Sequence, residues 1–425
     1  MKKKDIHKRK SGRKKGHLFY MFKNASFVEF KKEFFDQSFF SLFEMIILLL
    51  IAIVFGIFVG YILTLHRNPL DKNVSEILDT YYKLSDSYYK DIDNSELSNA
   101  AIKGMINSLQ DPYSSYMNQE ATDSFQESVD GYFIGIGVTV QYEESGYHRV
   151  IEVLNDGPAK KAGIEIDDII TEIDGKQAID MEPDEFIDLV RGKKGTHLDI
   201  TVERGGEVHT FDVVRDVVEI QSVSQNIIHE DESIIGYIRI STFASNTYPQ
   251  FSKALKKLEK QEIQSLIIDV RDNPGGYLLP TQEILSMFFP KKTVLYQIES
   301  KNSKRKVRSI SKESRSYPII VLVNGGSASA SEVLASSIQE NYKNGMVVGV
   351  TTYGKGTVQK EQTFRDGTSI KYTTEKWLTS DGKWLNKKGV TPNIVIEQSS
   401  DYYTNPNTSN DTQLQEAIQQ IKSLK

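Results

Sequence analysis

One stretch of sequence decides the fold of the second half of this chain: PIIVLVNGGSASASE, residues 318–332. Its apolar first half is typical of a strand that is buried on both faces. A tight turn of small residues follows at 325–330, and the sequence from Ser331 onward predicts a helix. A strand, a turn and a helix N-terminus in this order present a serine hydroxyl beside backbone N–H groups, where the helix dipole favours negative charge.

Strands and helices alternate around that stretch, which predicts an α/β core over residues 217–397. The charged, Ser-rich residues 301–315 predict an exposed loop within it. A polar tail, 398–425, follows the core and carries a possible amphipathic helix at 414–424. The predicted strands of the core are 234–240, 265–270, 319–323, 346–350 and 368–373, and its predicted helices are 248–260, 279–289 and 331–339.

The preceding residues, 126–216, have the period of strands and several turn signals, and they predict a small β-rich module. One short helix, 183–190, lies late in this module. This order of short strands with one late helix predicts a self-contained domain that precedes the core. Its predicted strands are 134–142, 149–154, 168–173, 197–203 and 207–213.

The N-terminal third predicts helices and one membrane span. Residues 74–125 have helical periodicity, with Asp111 and Pro112 ending the second helix and a turn at 114–117. Residues 45–65 are 21 residues without a charge, enough for about 30 Å of helix. A buried core helix and a cleaved signal peptide are the alternatives, but the segment is too long for a signal core and no small-residue cleavage site follows.

The charge distribution orients the predicted span. Residues 1–44 carry twelve Lys and Arg against five Asp and Glu, so this arm has a net charge of +7 while the whole chain has −5. Basic residues stay on the cytoplasmic side, which places the rest of the chain outside the cytoplasm. The acidic remainder argues against nucleic-acid binding.

The histidine and cysteine counts restrict the chemistry. The chain has no cysteine, so thiolate catalysis and cysteine-bound zinc are excluded. Its seven histidines all lie at or before His229, and the predicted core that holds the serine turn therefore has no imidazole base. Lysine is an alternative base when burial lowers its pKa. Lys355 is the candidate, between Gly354 and Gly356 after an apolar strand, although a solvated turn lysine would look the same in sequence.

A third element, IDVRDNPGG at residues 268–276, ends a predicted strand in a sharp turn with exposed N–H groups. Such a turn suits half of an oxyanion hole, and it is equally typical of a structural turn after a core strand.

Together these elements resemble the C-terminal processing peptidases, the tail-specific serine proteases of family S41. The resemblance covers about residues 74–397 and implies a core like that of the tail-specific peptidases, with a PDZ domain inserted between the helical segment and the core. It is carried by four motifs in the family's order: DVRDNPGG at 269–276, SASASE at 327–332, GKGTVQ at 354–359 and GVTPN at 389–393.

The resemblance implies roles for individual residues. Ser329 is expected to be the nucleophile, Lys355 the general base, and Gln359 the third member of a triad. No metal or other cofactor is implied. The backbone N–H groups expected to form the oxyanion hole are those of Ala330 and of Gly275 or Gly276.

The β-rich module resembles a PDZ domain. Gly135, Ile136 and Gly137 correspond to the loop that holds a peptide's terminal carboxylate while the peptide adds as a strand. The basic residues at 191–194 either assist that carboxylate or form a solvated corner.

The expected architecture is α/β mixed: a cytoplasmic arm, a transmembrane helix, a helical N-terminal segment, a PDZ domain and an α/β serine protease core. The expected partners are protein or peptide substrates with free C-termini and a cell membrane crossed once. A catalytically silent, PDZ-based scaffold is the alternative function. A zinc peptidase is disfavoured because the sequence contains neither the H-E-x-x-H motif nor a cysteine ligand. The sequence leaves open the substrate, the cleavage preference, the oligomeric state (a homodimer among the options) and whether the PDZ domain inhibits or activates.

Overall fold

The computed structural model of the protein describes residues 42–67, 71–179, 181–312 and 314–424. The predicted cytoplasmic arm therefore lies almost entirely outside the described residues. The chain divides at Ser98 and Asn99 into two compact units.

The first unit contains the long apolar helix. Helix α1 spans Leu42–Arg67, and its 20-residue segment Phe43–Ile62 has a mean hydropathy of 3.0 with none of its most apolar window buried. The helix predicted at 45–65 is confirmed, and its length and composition suit a membrane span. Helix α2 follows at Lys72–Ser87, and α3, Asn94–Asn107, crosses into the second unit.

The second unit opens with a strand where the sequence predicted a turn. β1 (Ser115–Met117) pairs with a late strand of the core, so the expected turn at 114–117 is wrong at its last three residues. Pairing with a distant strand, which local sequence does not show, makes these residues extended. Helix α4 (Gln119–Asp130) follows, with the Asn118 side chain accepting from the Ala121 N–H at its start.

The β-rich module has a five-strand sheet path in the order β3-β4-β5-β7-β8, with β6 attached to β5. Alternation explains its strands: in β7 the side chains of Leu198, Ile200 and Val202 are buried in the module's core and their neighbours face outward. Its elements are β2 (Tyr132–Gly135), β3 (Val138–Tyr142), β4 (His148–Val153), α5 (Pro158–Ala162), β5 (Ile169–Ile173), β6 (Lys176–Gln177), α6 (Pro183–Val190), β7 (His197–Arg204), β8 (Glu207–Val214) and β9 (Asp216–Glu219).

The strand predicted at 134–142 is broken in two. Ile136 is 1% exposed and Gly137 has φ 78, so the chain turns between β2 and β3. β2 then pairs with β9 in a separate two-stranded ribbon. The module consequently enters and leaves the rest of the chain at one place, because Gly135 and Asp216 are cross-strand partners.

The core is built on a six-stranded sheet in the order β10-β11-β12-β15-β16-β19, parallel except for β10. The elements after β9 are β10 (Val223–Glu230), β11 (Ser233–Ile240), α7 (Thr247–Glu259), β12 (Ser265–Asp269), α8 (Leu278–Ser286), β13 (Val294–Ser300), β14 (Lys304–Arg308), β15 (Ile319–Val323), α9 (Ala330–Asn341), β16 (Gly345–Gly349), β17 (Thr357–Thr363), β18 (Ser369–Leu378), β19 (Ile394–Val395), α10 (Ser400–Thr404) and α11 (Thr412–Ser423).

Both faces of this sheet are covered, which is why its central strands are continuous apolar runs. On one face Ile319 and Val321 of β15 pack in the cluster that includes α7, α8 and α9. On the other face Ile320 and Leu322 pack with Leu414 and other apolar residues of α11. The predicted C-terminal helix is thus confirmed, and it completes the core.

A second sheet runs in the order β1-β18-β13-β14, with β17 paired to β18. The exposed loop predicted at 301–315 is wrong where β14 forms, because Lys304–Arg308 pairs with β13 and buries Val307. Charged residues on such an edge strand disguise it in sequence. The sequence analysis did not predict the strands β10, β13 and β17. Two of them, β13 and β17, belong to the second sheet, which extends to the site described below.

Candidate active site

Three turns meet at one edge of the six-stranded sheet. β12, β15 and β16 are parallel neighbours, so their carboxyl ends lie side by side. The turns that follow them, at 270–277, 324–329 and 350–356, contain the three motifs predicted to carry the chemistry. This edge is where open α/β sheets usually bind their ligands.

The three serines of the SASASE run differ in their hydrogen bonds. Ser327 Oγ donates to the Val270 carbonyl at 2.7 Å, and Ser331 Oγ donates to the Asn273 carbonyl at 2.9 Å. Both hydroxyls therefore tie the serine turn to its neighbour. Ser329, in contrast, donates from its hydroxyl to no described residue and is 9% exposed. Its hydroxyl hydrogen is the one left for chemistry.

The backbone at Ser329 is strained. Its φ of 55 and ψ of −112 are uncommon for a residue with a side chain, and such conformations cluster at functional sites. Helix α9 begins at the next residue. Gly275 lies directly against this point, since a Cβ added to it would be 2.8 Å from the Ser329 Cβ and 3.0 Å from the Ala330 nitrogen. Glycine is required there for the close approach.

Glu332 joins the serine turn to the lysine turn. Its side chain is fully buried, and Oε2 accepts from the backbone nitrogens of Ser329 at 2.8 Å and Lys355 at 2.9 Å. Oε1 accepts from the Thr352 hydroxyl at 2.6 Å and the Gly354 nitrogen at 2.7 Å. One carboxylate therefore fixes both turns relative to each other with four hydrogen bonds to a charged acceptor.

Lys355 lies in a partly buried environment beside an aromatic ring. Its Nζ is 4.9 Å from the centre of the Tyr113 ring, and it makes no hydrogen bond to a described residue, Ser329 included. Burial lowers the pKa of Lys355, and the positive charge of Lys371 lowers it further, whereas Asp111 and Glu332 oppose the shift. A lowered pKa is the property that a lysine base requires.

Gln359 is held on β17 by its amide nitrogen. Nε2 donates to the hydroxyls of Thr357 and Thr373, each at 3.0 Å. Within the described part of the chain no hydrogen bond joins Gln359 to Lys355. The structure thus places the glutamine next to the lysine turn without showing the predicted contact.

The predicted oxyanion donors are not equivalent. The Gly275 nitrogen donates to Asn273 Oδ1 at 2.8 Å, so this N–H is already used. The nitrogens of Gly276 and Ala330 donate to none of the residues that the structure describes. Gly276 and Ala330 are therefore the two backbone donors that remain available beside Ser329.

The loop of the β-rich module also keeps free donors. The carbonyl of Ile136 accepts from the Ala159 nitrogen at 2.8 Å, and that of Gly137 accepts from the Leu154 nitrogen at 3.0 Å. The nitrogens of Ile136 and Gly137 donate to no residue in the described ranges, while Gly135 belongs to the β2–β9 ribbon. β3 lies at the end of its sheet path, so one strand edge is open.

Two of the three basic residues at 191–194 form ion pairs away from the loop. Arg191 pairs with Glu127 at 3.4 Å and Lys194 pairs with Asp216 at 2.8 Å. These contacts favour the solvated basic corner over a role at the loop.

Comparison with known proteins assigns the family. The family model for Peptidase family S41 matches residues 234–396. A probable CtpA-like serine protease of Staphylococcus saprophyticus is 35% identical over 356 residues, covering 83% of this chain and 71% of that protein. The carboxy-terminal processing protease CtpB of Bacillus subtilis is 38% identical over 339 residues, covering 79% and 70%. The chain belongs to peptidase family S41.

Two further family models match parts of this S41 peptidase that precede residue 234. A PDZ domain model matches residues 149–204, and a model of the activating protease CtpB N-terminal domain matches residues 64–121. Among solved structures, the Photosystem II D1 C-terminal processing protease is similar with a TM-score of 0.46 and 25% identity, over 77% of this chain and 87% of that one. The predicted family, C-terminal processing serine protease with a PDZ domain, is confirmed.

Sequence reasoning did not identify the residues whose hydrogen bonds hold the turns of the S41 site together. Asn324 Oδ1 accepts from the Asp272 nitrogen at 2.9 Å, and Asn324 Nδ2 donates to Asp272 Oδ1 at 2.8 Å, which clamps two of the three turns together. An Asn directly after a buried strand was the available signal. Glu332 was noticed only as part of a motif, and Asp111 and Thr373 gave no signal, since both act across long sequence separations.

Proposed function

We propose that this S41 peptidase is a membrane-anchored endopeptidase that cuts extracytoplasmic proteins with Ser329 as nucleophile and Lys355 as general base, without a metal. One observation carries the proposal: Ser329 alone of the three motif serines keeps its hydroxyl hydrogen, and its backbone shares a buried carboxylate oxygen with that of Lys355. The lowered pKa of Lys355 supports it further.

The first half-reaction forms an acyl-enzyme. Neutral Lys355 takes the proton from Ser329 Oγ as that oxygen attacks the carbonyl carbon of the substrate's peptide bond. The carbonyl oxygen becomes negative next to the N–H groups of Ala330 and Gly276, at the start of α9, where the helix dipole stabilises it. The C–N bond then breaks, and Lys355 returns the proton to the leaving amine.

The second half-reaction reverses these roles. Water replaces the amine and gives a proton to Lys355 while its oxygen adds to the ester carbon. Breakdown of this intermediate releases the new carboxyl terminus, and the proton returns to Ser329 Oγ. Gln359 completes the triad by offering its amide oxygen to the lysine, since both hydrogens of its nitrogen are already donated.

The PDZ domain supplies recognition of a free C-terminus. The nitrogens of Ile136 and Gly137 suit a terminal carboxylate, and the open edge of β3 suits a peptide that adds as a strand. The name of the Bacillus subtilis relative, carboxy-terminal processing protease CtpB, favours the same substrate class.

The membrane anchor is α1, with the arm of residues 1–44 in the cytoplasm and the PDZ and protease regions outside. The apolar span and the Lys/Arg excess before it support this topology. Protease added to intact cells should digest the chain after residue 67 and spare an N-terminal tag. A tag that is accessible from outside the cell would overturn the orientation.

The catalytic proposal is tested by mass spectrometry of a protein substrate with a free C-terminal tail. The full-length enzyme in detergent should cut it, and Ser329→Ala should leave it intact. Ser314→Ala, which alters an exposed serine, is the matched control and should cut normally. Binding of the tail without any cleavage by the wild type would instead support the silent scaffold.

A further inference from the structure

A short turn far from the S41 match lies against the catalytic lysine and glutamine. Residues 111–114, Asp-Pro-Tyr-Ser, connect α3 to β1, and β1 pairs with β18 so that Tyr116 lies opposite Ile370. This pairing anchors the turn to the β17–β18 hairpin, in which Gln359 and Thr373 are cross-strand partners. The chain thus brings a segment more than a hundred residues before the S41 match into contact with the site.

The hydrogen bonds between this turn and Gln359 have a fixed direction. Thr373 Oγ1 donates its single hydrogen to Asp111 Oδ2 at 2.6 Å. Toward Gln359 the same hydroxyl is therefore an acceptor, and it receives the Nε2 hydrogen at 3.0 Å. Rotating the amide by half a turn would place its oxygen against a hydroxyl with no hydrogen left to give. Asp111 thereby selects which end of the Gln359 amide faces Thr373.

Asp111 is itself firmly held. Its Oδ2 also accepts from the Ser114 hydroxyl at 2.6 Å, and its Oδ1 accepts from the Tyr113 nitrogen at 3.1 Å. Burial alone would raise the pKa of Asp111, but the hydrogen bonds from Ser114 and Thr373 lower it below its ordinary value. The carboxyl is thus ionised at neutral pH and can only accept hydrogen bonds.

The same turn contacts the lysine. Tyr113 faces the Lys355 ammonium with its ring, 4.9 Å from Nζ. Burial, together with a hydrogen bond to Tyr353, raises the pKa of Tyr113 to about 12, so its phenol is uncharged at neutral pH. Two residues of one turn are therefore connected to the candidate triad, Tyr113 directly to Lys355 and Asp111 through Thr373 to Gln359.

We propose that the turn at residues 111–114 positions the active site: Asp111, acting through Thr373, fixes the Gln359 amide so that its oxygen is the free acceptor for Lys355. Asp111 and Thr373 are positioning residues and do not touch substrate. This inference rests on the proposed function, in which Lys355 is the base.

The test compares two substitutions at Thr373 in the full-length enzyme. Thr373→Val keeps the shape and removes the hydroxyl, whereas Thr373→Ser keeps the hydroxyl. With a free-acid peptide as substrate, Thr373→Val should lower kcat by about tenfold or more, since misplaced catalytic groups are costly, and leave KM unchanged. Thr373→Ser should retain most of the wild-type kcat. Asp111→Asn, which replaces the acceptor carboxylate by an amide, is the second variant and should also lower kcat.

A pH profile separates positioning from a general loss of structure. The charged groups that face Lys355 are Lys371, Asp111 and Glu332, with the uncharged Tyr113 ring beside them. An acceptor oxygen stabilises the charged ammonium of Lys355 and so raises the pKa of that lysine. Losing this acceptor in Thr373→Val should therefore move the rising limb of the kcat/KM pH profile to lower pH, while kcat itself falls. A merely structural defect lowers the rate without moving the limb.

The outcomes distinguish this inference from the proposed function. If Ser329→Ala or Lys355→Ala cuts normally, the proposed function fails and the inference fails with it. If those variants are inactive while Thr373→Val and Asp111→Asn match the wild type in kcat and pH profile, only the inference is overturned. Equal losses in Thr373→Val and Thr373→Ser with an unmoved limb would also overturn it.

Discussion

Two turns lie at the two candidate sites of this molecule, and they use their backbone groups in opposite ways. In the serine turn, 324–329, side chains immobilise the backbone: the buried Glu332 carboxylate holds the Ser329 nitrogen, and the Ser327 hydroxyl is tied to the next turn. In the PDZ loop, 135–137, the carbonyls are bonded within the domain and two nitrogens stay free.

The difference follows from what each turn does in the proposed mechanism. A reacting oxygen must be placed within a fraction of an ångström, and buried charge-assisted hydrogen bonds supply that rigidity. A loop that receives the end of a peptide needs only donors for a carboxylate and a free strand edge. Substitutions in the first turn should therefore change turnover, and those in the second should change substrate capture.

The largest effect is expected when the candidate base is removed. Lys355→Met keeps the length of the side chain and loses the amine, so hydrolysis should fall by at least about a thousandfold while free-acid peptide binding stays unchanged. Peptide hydrolysis and peptide binding are measured on the same preparation. Lys360→Ala, which removes an exposed lysine on the following strand β17, is the control and should behave as wild type. Substantial activity in Lys355→Met would refute the assignment of the base.

The next largest effect is expected in the pH dependence of peptide hydrolysis. Lys355 must be neutral to accept a proton, so activity should be low below its pKa and rise as pH increases through it. Because burial lowers that pKa, the limb should lie below the ordinary range of lysine. Each pH unit below the limb should cost about tenfold in kcat/KM. A maximum near pH 5 would point to a carboxylate base instead.

The buried carboxylate of the serine turn gives the third prediction. Glu332→Gln replaces one acceptor oxygen by an amide group that meets N–H donors, so at least one of four hydrogen bonds is lost. The free energy of unfolding should fall by about 2 kcal/mol and turnover should fall with it. Thermal unfolding and kcat are measured against the exposed control Glu397→Gln. An unchanged melting temperature would show that Glu332 does not hold the turns together.

The smallest effects are expected at the PDZ loop. Amidation of the substrate's C-terminus removes the charge that the nitrogens of Ile136 and Gly137 would bind, and cleavage should slow by about tenfold through KM. Gly137→Ala should weaken capture several-fold, because φ 78 is strained for alanine. Equal cleavage of amidated and free-acid peptides would remove the carboxylate-reading role.

A matched control isolates the loop from general strain. Gly175 has φ 74 with open space around it, so Gly175→Ala introduces the same backbone strain away from the loop. It should leave KM unchanged.

Removing residues 136–215 decides between two roles for the PDZ domain, because the flanking residues Gly135 and Asp216 are already cross-strand partners. If the remaining core cleaves substrate constitutively, the PDZ domain acts as a gate that blocks the active site. If the core cleaves slowly, the PDZ domain delivers the substrate.

Much of the fold could be predicted because its signals are local. The apolar run before Asn324 predicted a strand buried on both faces, and that strand occurs at Ile319–Val323. The helix predicted at 183–190 has those bounds in the structure. Strands without a local signal were missed: β14 is almost entirely charged, and β1 is extended only because a strand more than two hundred residues later pairs with it.

By itself the sequence determined the chemistry that is open to this protein. The absence of cysteine, and of histidine beyond His229, makes lysine the candidate base for a serine in this core, and the order of the motifs around Ser329 and Lys355 resembles one peptidase family. Only the tertiary structure decided how these groups are held. The carboxylate of Glu332 meets the backbone of Lys355 23 residues away, and Asp111 meets Thr373 across 262 residues. Local sequence records which groups are present, whereas folding alone brings distant donors and acceptors within hydrogen-bonding distance.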